Sequence, residues 1–556
     1  MTQTSDADVR EGQDAVRRTI TRYLTTSTTH LHDVPSRTDP AMLAAELERL
    51  NSAVRANAGS LSPYSQPADY QRTLLHERDR GDAALPRDVQ EPLVVRKAPM
   101  NGHMTLSQAA KMIADGEVTS EQLTAKAIAR ATECQPSLNA FIDIWAEKAM
   151  TQARAADAER ARGQSRGALH GIPLAHKDCF EIHGHAATIG SRARPAIPAA
   201  LDARAIHLLN AAGAITVGVL NMNEMVAGPT GQNPIFGDCC NALEPRRISG
   251  GSSSGSGAAV ASGAVFASLG SDTGGSIRLP ASVHGLFGLK PTYGRISRSG
   301  CFPRAFSLDC VGPLARTAED CALVLQAVAG LDPEDPSSLD AAVPQYPALL
   351  DVAAEHSRVA VLGLAGKDAC SPEISSIFCA FVERVERLFG TVRETGFPQL
   401  SACYAMGDLI SKVEAATLHS QWMRADPDAY SQAVYSRTEP GLHMPAVRYL
   451  EATMVRARVL LEFLAGPMSN ADILLCPTIP VPVPLRVDAD MEKQGSVFNV
   501  VTEITRLTRP FSYLGLPVLT MPIGVDANGM PVGAQVIGRP LAEARLLSFA
   551  HQMSLA

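Results

Sequence analysis

Apolar residues with helical spacing mark the first hundred residues of the chain. One stripe contains Leu43, Leu47, Leu50 and Val54. Asp39-Pro40 before the stripe is typical of a helix start, and Gly59 after it is typical of an end. Because no chemical motif follows in this stretch, we predict a helical N-terminal extension over residues 1–100 and a main domain over residues 101–556.

From Thr105 onward the pattern alternates between helix and strand. Capping boxes at Thr105–Gln108 and Thr119–Gln122 start two helices, and Pro136 is predicted to end the second. Lys177 follows a short apolar run, which places it at a strand end. Further strands are predicted at Ile215–Leu220, Val359–Leu362 and 472–477, and Asn528-Gly529 predicts a hairpin between 518–525 and 532–537. Such alternation predicts an α/β fold, a mixed central β-sheet covered by helices on both faces.

Two Gly/Ser turns flank an apolar run in the middle of the chain. The first turn is 250–257 (GGSSSGSG) and the second is 271–278 (SDTGGSIR). The run 258–269 has small residues and predicts one tightly packed element that holds the two turns together. Glycine pairs can aim several N–H groups at one point, which gives a nearby serine its oxyanion donors. A flexible linker is the alternative, but linkers do not alternate with apolar segments in this way.

Composition limits the classes of function. The chain has 556 residues and a net charge of −7, so no global basic field directs it to nucleic acid or a membrane. No apolar run reaches the length of about 18–20 residues that a membrane helix needs, and no signal-peptide pattern opens the sequence. None of the 11 cysteines has C-x-x-C spacing, and adjacent Cys239-Cys240 favours free thiols. A cytoplasmic location is therefore expected.

The motifs together resemble the amidase signature family, which are serine hydrolases with a Ser–cis-Ser–Lys triad. The resemblance rests on 171–178 (GIPLAHKD), 250–256 (GGSSSGS), 272–278 (DTGGSIR), 288–295 (GLKPTYGR) and 533–540 (GAQVIGRP). These motifs occur in the family's order and cover the chain from roughly residue 105 to its C-terminus. The resemblance implies the amidase signature fold, with residues 101–556 as the catalytic domain.

The resemblance assigns Ser276 as the nucleophile, Ser252 as the relay serine on a cis peptide, and Lys177 as the base. A serine hydroxyl is a weak nucleophile until a base accepts its proton. Lysine can accept it only when neutral, so burial must lower a pKa that is ordinarily about 10.4. The implied oxyanion hole consists of the backbone N–H groups of Thr273, Gly274, Gly275 and Ser276.

Other site residues are implied by the same resemblance. Substrate-binding positions are Val226, Ala227 and Thr230, and residues expected to support the loop are Asp272, Arg278 and Ser253. Ser253 is also the centre of a formal G-x-S-x-G motif, but the polar stretch 244–247 precedes it where a nucleophile elbow needs an apolar strand. No metal or organic cofactor is implied, since His183-Gly184-His185 lacks further ligands at a suitable spacing.

We interpret the chain as an amidase that hydrolyses a non-peptide carbon–nitrogen bond in an amide, aryl amide or carbamate. With a carbamate substrate the enzyme would be a urethanase. The expected partners are a small-molecule amide or carbamate substrate and a second copy in a homodimer, with no nucleic acid and no membrane. The alternative is the glutamine-hydrolysing subunit of a tRNA-dependent amidotransferase. The extra residues before Thr105 argue against that alternative. A non-catalytic binding protein is disfavoured because Lys177, Ser252 and Ser276 are all present.

Overall fold

The structure is a computed structural model that describes residues 34, 36–58, 65–78, 102–364, 366, 369–490 and 497–556. The strands of these ranges form one 11-stranded sheet. In chain order they are β1 Phe141–Ile144, β2 Pro173–Lys177, β3 Ile215–Leu220, β4 Ala267–Asp272, β5 Phe287–Lys290, β6 Cys310–Ala315, β7 Val359–Leu362, β8 Arg393–Thr395, β9 Ile473–Pro477, β10 Val518–Val525 and β11 Pro531–Gly538.

Helices pack around this sheet, and the α/β prediction is confirmed. In chain order they are α1 Pro40–Ala58, α2 Asp69–His76, α3 Leu106–Ala114, α4 Ser120–Leu138, α5 Ala146–Ala161, α6 Arg204–Ala211, α7 Ser254–Ala261, α8 Arg278–Val283, α9 Ala318–Val328, α10 Pro372–Phe389, α11 Leu400–Ala425, α12 Gln432–Thr438, α13 Ala446–Met454, α14 Arg456–Ala465, α15 Val497–Thr505, α16 Arg509–Leu514 and α17 Glu543–Leu555. None of the helices in the described ranges is both long enough and apolar enough to span a bilayer.

The sheet is mixed, with the order β1-β3-β2-β4-β6-β5-β10-β11-β9-β7-β8. Strand β2 is parallel to both β3 and β4, and β4 pairs with β6 in antiparallel fashion. In the β2–β4 pair, Ala175 lies opposite Ser268 and His176 opposite Leu269. The carboxyl ends of these two strands therefore meet at one edge, which brings Lys177 close to the end of β4.

The Gly/Ser-flanked run forms two elements, where the sequence pattern predicts one. Its first part is helix α7 and its second part is strand β4, with a turn between them at Gly263, whose φ is +79°. Every residue of α7 is buried. A Cβ on Gly255 would lie 2.3 Å from the Ala140 carbonyl oxygen, so the small residues permit the close packing that the composition indicates.

Both capping boxes are confirmed, but the predicted end of α4 at Pro136 is wrong. The helix continues to Leu138 and ends at Asn139, whose φ of 46° is left-handed. A proline this close to a helix end removes only one N–H bond, so termination by Asn139 a few residues later is compatible with it.

The apolar stripe of α1 is buried, as its spacing predicts. Leu43, Leu47, Leu50 and Val54 belong to one apolar cluster with residues of α11, α14 and α16. The cap is also present, because Asp39 Oδ1 accepts hydrogen bonds from the N–H groups of residues 41 and 42. The predicted end at Gly59 lies outside the described residues, and the division at residue 100 remains a prediction.

Candidate active site

Lys177 is the last residue of β2 and its side chain is fully buried. Its Nζ donates hydrogen bonds to Ser252 Oγ at 2.8 Å and to Ser271 Oγ at 2.9 Å. Burial lowers the pKa of Lys177 from its ordinary value. The lysine can therefore reach its neutral, proton-accepting form at a lower pH than an exposed lysine would. Ser271 as a second partner was not among the residues predicted from the sequence.

Ser252 lies in the first Gly/Ser turn, immediately before α7, and the Gly251–Ser252 peptide is cis. A Cβ on Gly251 would lie 2.0 Å from Asn223 Oδ1, so only glycine fits there. The next residue joins the two turns: Ser253 donates from its backbone N–H to the Ser276 carbonyl at 3.4 Å and from its Oγ to the Ser271 carbonyl at 3.2 Å. These hydrogen bonds connect the first Gly/Ser turn to the second, and the supporting role of Ser253 remains a prediction.

Ser276 lies in the turn between β4 and α8 and lines a narrow cavity of 40 Å³. Its side chain is almost buried, with 8% of the residue exposed. The Ser276 hydroxyl makes no hydrogen bond to any other residue that the structure describes. In enzymes without bound substrate, such a bond often forms only when the substrate arrives.

One of the four backbone N–H groups predicted to form the oxyanion hole is already hydrogen-bonded within the protein. The Gly275 N–H donates to Asp272 Oδ1 at 2.7 Å, so it is already occupied. The N–H groups of Thr273, Gly274 and Ser276 make no hydrogen bond within the described residues. The Thr273 hydroxyl donates to Asp309 at 2.5 Å, which fixes the start of the turn. Three of the four predicted donors can therefore face an oxyanion.

Asp272 and Arg278 brace this turn from inside the protein. Both side chains are fully buried, and Arg278 Nη2 lies 2.9 Å from Asp272 Oδ1. Burial acts to raise the pKa of Asp272, but the charge and hydrogen bonds of Arg278, together with the charge of Lys290, lower it to about 2. Arg278 also donates to the Thr508 carbonyl and Gln535, so it supports the turn and does not line the cavity.

The structure places two of the three predicted substrate-binding residues on the cavity wall. Val226 and Ala227 line the cavity, followed by residues 228 and 229. Thr230 lies beyond this stretch, where its hydroxyl bonds to Gln232 at 3.2 Å. Val226 has a φ of 58°, which is unusual for a β-branched residue and costs about 1–3 kcal/mol. Such strain often occurs at ligand-binding walls.

The opposite wall of the cavity is strongly cationic, and no sequence motif indicates it. It carries Arg304, Lys412, Arg437 and Arg509, together with one carboxylate, Asp408. Asp408 and Lys412 are one helical turn apart on α11, with Lys412 Nζ 2.6 Å from Asp408 Oδ2. That i,i+4 spacing is the only local signal, and it is common on exposed helices. The wall has an excess of three positive charges.

Arg437 stands out on this wall because its charge is not compensated by a contact within the described residues. Within the described residues its guanidinium donates no hydrogen bond and forms no ion pair, and its Nε is buried. Burial, followed by the charge of Arg509, lowers the pKa of Arg437. Arg509 lies against the oxyanion turn, because a Cβ on Gly274 would be 3.3 Å from its Cζ. An anionic group in the cavity would relieve this mutual repulsion.

No cluster of three or more His, Cys, Asp or Glu side chains that could hold a metal ion occurs in the described ranges. In the His-x-His segment, His185 Nε2 lies 2.7 Å from Asp178 Oδ1, and His183 Nδ1 lies 2.8 Å from the Ala200 carbonyl. Each histidine thus has an ordinary structural partner.

The chain is similar to known proteins in both sequence and fold. The model of the Amidase family matches residues 122–547. A glutamyl-tRNA(Gln) amidotransferase subunit of Pseudomonas savastanoi pv. phaseolicola is 35% identical over 472 residues, covering 81% of this chain and 96% of that protein. The same subunit of Azotobacter vinelandii is 36% identical over 484 residues, covering 82% and 97%. A solved structure described as a vestigial protein complex that reveals the origins of an s-triazine catabolic enzyme has a TM-score of 0.76 and 33% identity, covering 81% and 98%.

These relatives correct the prediction about partners. We predicted a small-molecule amide or carbamate as the only partner besides a second copy, with no nucleic acid. That prediction is wrong, because the relatives are subunits of an amidotransferase named for glutamyl-tRNA. The net charge excludes only a global basic field and says nothing about a component that serves a tRNA-dependent reaction within an assembly. Of the two functions considered, the relatives' names match the glutamine-hydrolysing subunit better than the main interpretation.

Proposed function

The chain belongs to the amidase family and is an amidase-type enzyme acting on carbon–nitrogen bonds, and on that premise we propose that it hydrolyses the side-chain carboxamide of glutamine. The products are glutamate and ammonia, and the ammonia is passed to a partner in an amidotransferase-like assembly. The observation that carries this proposal is the Arg437 guanidinium, whose buried Nε has no hydrogen-bond partner in the described residues, on the wall of the cavity that Ser276 also lines.

Glutamine has the charges that this cavity can bind. Its α-carboxylate matches Arg437 and Arg509, since a guanidinium binds a carboxylate through two parallel hydrogen bonds. Its α-ammonium matches Asp408, the single carboxylate on the wall. Its unbranched side chain suits the narrow space beside Val226 and leads the carboxamide toward Ser276. A neutral aryl amide would leave the cationic wall without a counter-charge.

The chemistry would proceed through an acyl-enzyme. Ser276 Oγ attacks the carboxamide carbon while its proton passes through Ser252 to neutral Lys177. The negative charge on the former carbonyl oxygen is stabilised by backbone N–H groups of the second turn. The proton returns to the departing nitrogen, and ammonia leaves. Water then attacks the Ser276 ester, which releases glutamate and restores the serine hydroxyl.

The relatives support the assembly part of the proposal. Both are named as the same subunit of glutamyl-tRNA(Gln) amidotransferase, and alignment covers nearly their whole length. An enzyme of that name transfers an amide group, which requires a nitrogen donor such as glutamine. This chain has the triad residues Lys177, Ser252 and Ser276, which could release that nitrogen from glutamine as ammonia.

The test is ammonia release from glutamine by the full chain, purified once from a foreign host and once from its own host with co-purifying partners. We expect Ser276-dependent release of glutamate and ammonia, increased by the partners. Ser276→Ala is the control in both preparations. Efficient hydrolysis of neutral amides by the isolated chain, with no turnover of glutamine in either preparation, would overturn the proposal in favour of a free-standing hydrolase.

A further inference from the structure

Helix α1 lies against the cationic wall of the active-site cavity. It precedes residues 122–547, which match the family model, so the family's motifs do not account for it. Its apolar stripe packs on α11, the helix that carries Asp408 and Lys412. The polar side of the same contact is formed by Glu46 and Arg49, which face these two residues.

The contact is a network of opposite charges that extends to Arg509, whose Nη1 lies 3.3 Å from Asp408 Oδ1. Glu46 Oε1 lies 2.7 Å from Lys412 Nζ, and Arg49 Nη2 lies 2.5 Å from Asp408 Oδ2. Glu46 also accepts two hydrogen bonds from Arg49, at 2.7 and 2.9 Å. Lys412 is therefore held between two carboxylates, one from α1 and one from α11. Neither Lys412 nor Asp408 can change position without breaking a contact with α1.

The neighbouring cations favour the ionised form of both carboxylates in this network. Burial acts to raise the pKa of Glu46, but the charge of Lys412 and the hydrogen bond from Arg49 lower it to about 2. Burial likewise opposes ionisation of Asp408, and the charges of Lys412, Arg509 and Arg49 bring its pKa well below the usual range. Both carboxylates are ionised at neutral pH, and Glu46 cancels one of the positive charges near the cavity.

A second cavity, of 330 Å³, lies between α1 and α11. Its α1 side is formed by Met42, Leu43, Ala45, Glu46 and Arg49. Its other side shares four residues with the cavity at Ser276, namely Asp408, Lys412, Arg437 and Arg509. The same charged groups therefore face both the nucleophile's cavity and the larger space under α1.

We propose that α1 completes the substrate site, with Glu46 as a specificity-determining residue that favours substrates carrying an ammonium beside their carboxylate. The charged end of the substrate extends from the Ser276 cavity toward the space under α1. There Glu46 adds a second negative charge to that of Asp408 and holds Lys412 away from the substrate carboxylate. This inference rests on the proposed glutamine hydrolysis for its natural ligand, but it is testable without that reaction.

The experiment compares two substrates with the same scissile carboxamide, glutamine and N-acetylglutamine, which lacks the ammonium. In the full chain, Glu46→Gln should lower kcat/KM for glutamine and raise it for N-acetylglutamine, by at least about threefold in each direction for one charge near a partly buried site. Glu46→Asp keeps the charge and should restore most of the preference for glutamine. Glu48→Gln is the matched control, because Glu48 is exposed on the same helix.

A second measurement separates this inference from the proposed function. An uncharged fluorophosphonate reports Ser276 reactivity, and glutarate, a dianion, should protect Ser276 from it more strongly in Glu46→Gln than in wild type. If neither amide is hydrolysed but glutarate protection shifts, the inference stands and glutamine hydrolysis fails. If glutamine is hydrolysed and Glu46→Gln behaves like Glu48→Gln in both measurements, α1 has no part in specificity. Equal labelling of all variants by the probe alone shows that the fold is intact.

Discussion

Asp272 Oδ1 accepts the backbone N–H of Gly275 at 2.7 Å, and the same carboxylate neutralises buried Arg278. One carboxylate thus shapes the oxyanion turn and compensates a charge in the core. Asp272→Asn should leave Arg278 without its counter-charge and lower the free energy of unfolding by about 3–5 kcal/mol. Urea denaturation measures the change. The exposed pair Arg130–Glu133 provides the control, since Glu133→Gln should cost less than about 1 kcal/mol. Similar losses for both variants would contradict the bracing role.

Lys177 should make acylation of Ser276 faster as pH rises. Burial lowers its pKa, and the neutral amine that accepts the proton increases above that pKa. The inactivation rate by an uncharged fluorophosphonate should therefore rise with pH and then level off. In Lys177→Met the rate should fall by about 10²–10⁴-fold and the rise should disappear. Lys126→Met, on the exposed side of α4, should retain the wild-type profile. An unchanged profile in Lys177→Met would exclude the lysine as the base.

Ser271 should act as a positioning residue for Lys177. Its Oγ accepts a hydrogen bond from the lysine Nζ and so favours the charged form. Ser271→Ala should lower the pKa of Lys177, move the rise in rate to lower pH, and reduce the plateau kcat by about tenfold. KM should not change, because Ser271 lies behind the lysine and not on the cavity wall. Ser268→Ala, buried on the same strand, is the control. A change in KM alone would contradict this role.

Arg437 should determine affinity for the substrate carboxylate. Arg437→Gln should raise KM for glutamine by about 10–100-fold, which corresponds to the free energy of a hydrogen bond to a charged group. The turnover of butyramide, which has no carboxylate, should change little. Arg437→Lys keeps the charge but loses the planar fork, so an intermediate KM is expected. Steady-state ammonia release measures both parameters. Equal effects on glutamine and butyramide would show that Arg437 supports the fold and not the carboxylate.

The attachment of α1 should weaken in acid. Glu46 has a folded pKa of about 2 against an ordinary value of 4.5, so its stabilising contribution is present above pH 4.5 and is lost as pH falls toward 2. At pH 7, Glu46→Gln should therefore be less stable than wild type by about 3 kcal/mol. The difference should shrink steadily between pH 4.5 and pH 2 in urea titrations. A constant difference over this range would mean that the Glu46 carboxylate is not the source of the stability.

Much of the fold could be predicted from the sequence because its signals are local. The Ile215–Leu220 and Val359–Leu362 strands have the predicted bounds, and both threonine capping boxes occur where their spacing indicates. Helix α4 does not end at Pro136 as we predicted from the proline. It continues to Leu138 and is terminated by Asn139, which has a left-handed conformation. Local patterns therefore predict where elements occur better than where they end.

The site likewise contains residues that sequence motifs mark and residues that no motif marks. Ser252 and Ser276 lie in the two Gly/Ser turns and Lys177 ends strand β2, so the three residues come from separate stretches, and their proximity could be expected because the motifs around them resemble the amidase signature family. The cationic wall has no such motif: Arg304 and Arg437 come from separate stretches that meet only through tertiary packing. The occupied N–H of Gly275 was also beyond prediction, because it depends on which way the Asp272 side chain turns.

The contact between Arg49 and Asp408 joins residues 359 positions apart, and this has a consequence during synthesis. At a translation rate of about 5–20 residues per second, α1 leaves the ribosome on the order of tens of seconds before α11 exists. Over that interval the stripe Leu43, Leu47, Leu50 and Val54 has no partner on α11 to cover it. The nascent chain thus carries an uncovered apolar stripe until α11 emerges, and the charged wall of the cavity, which includes Arg509, is completed only near the end of translation.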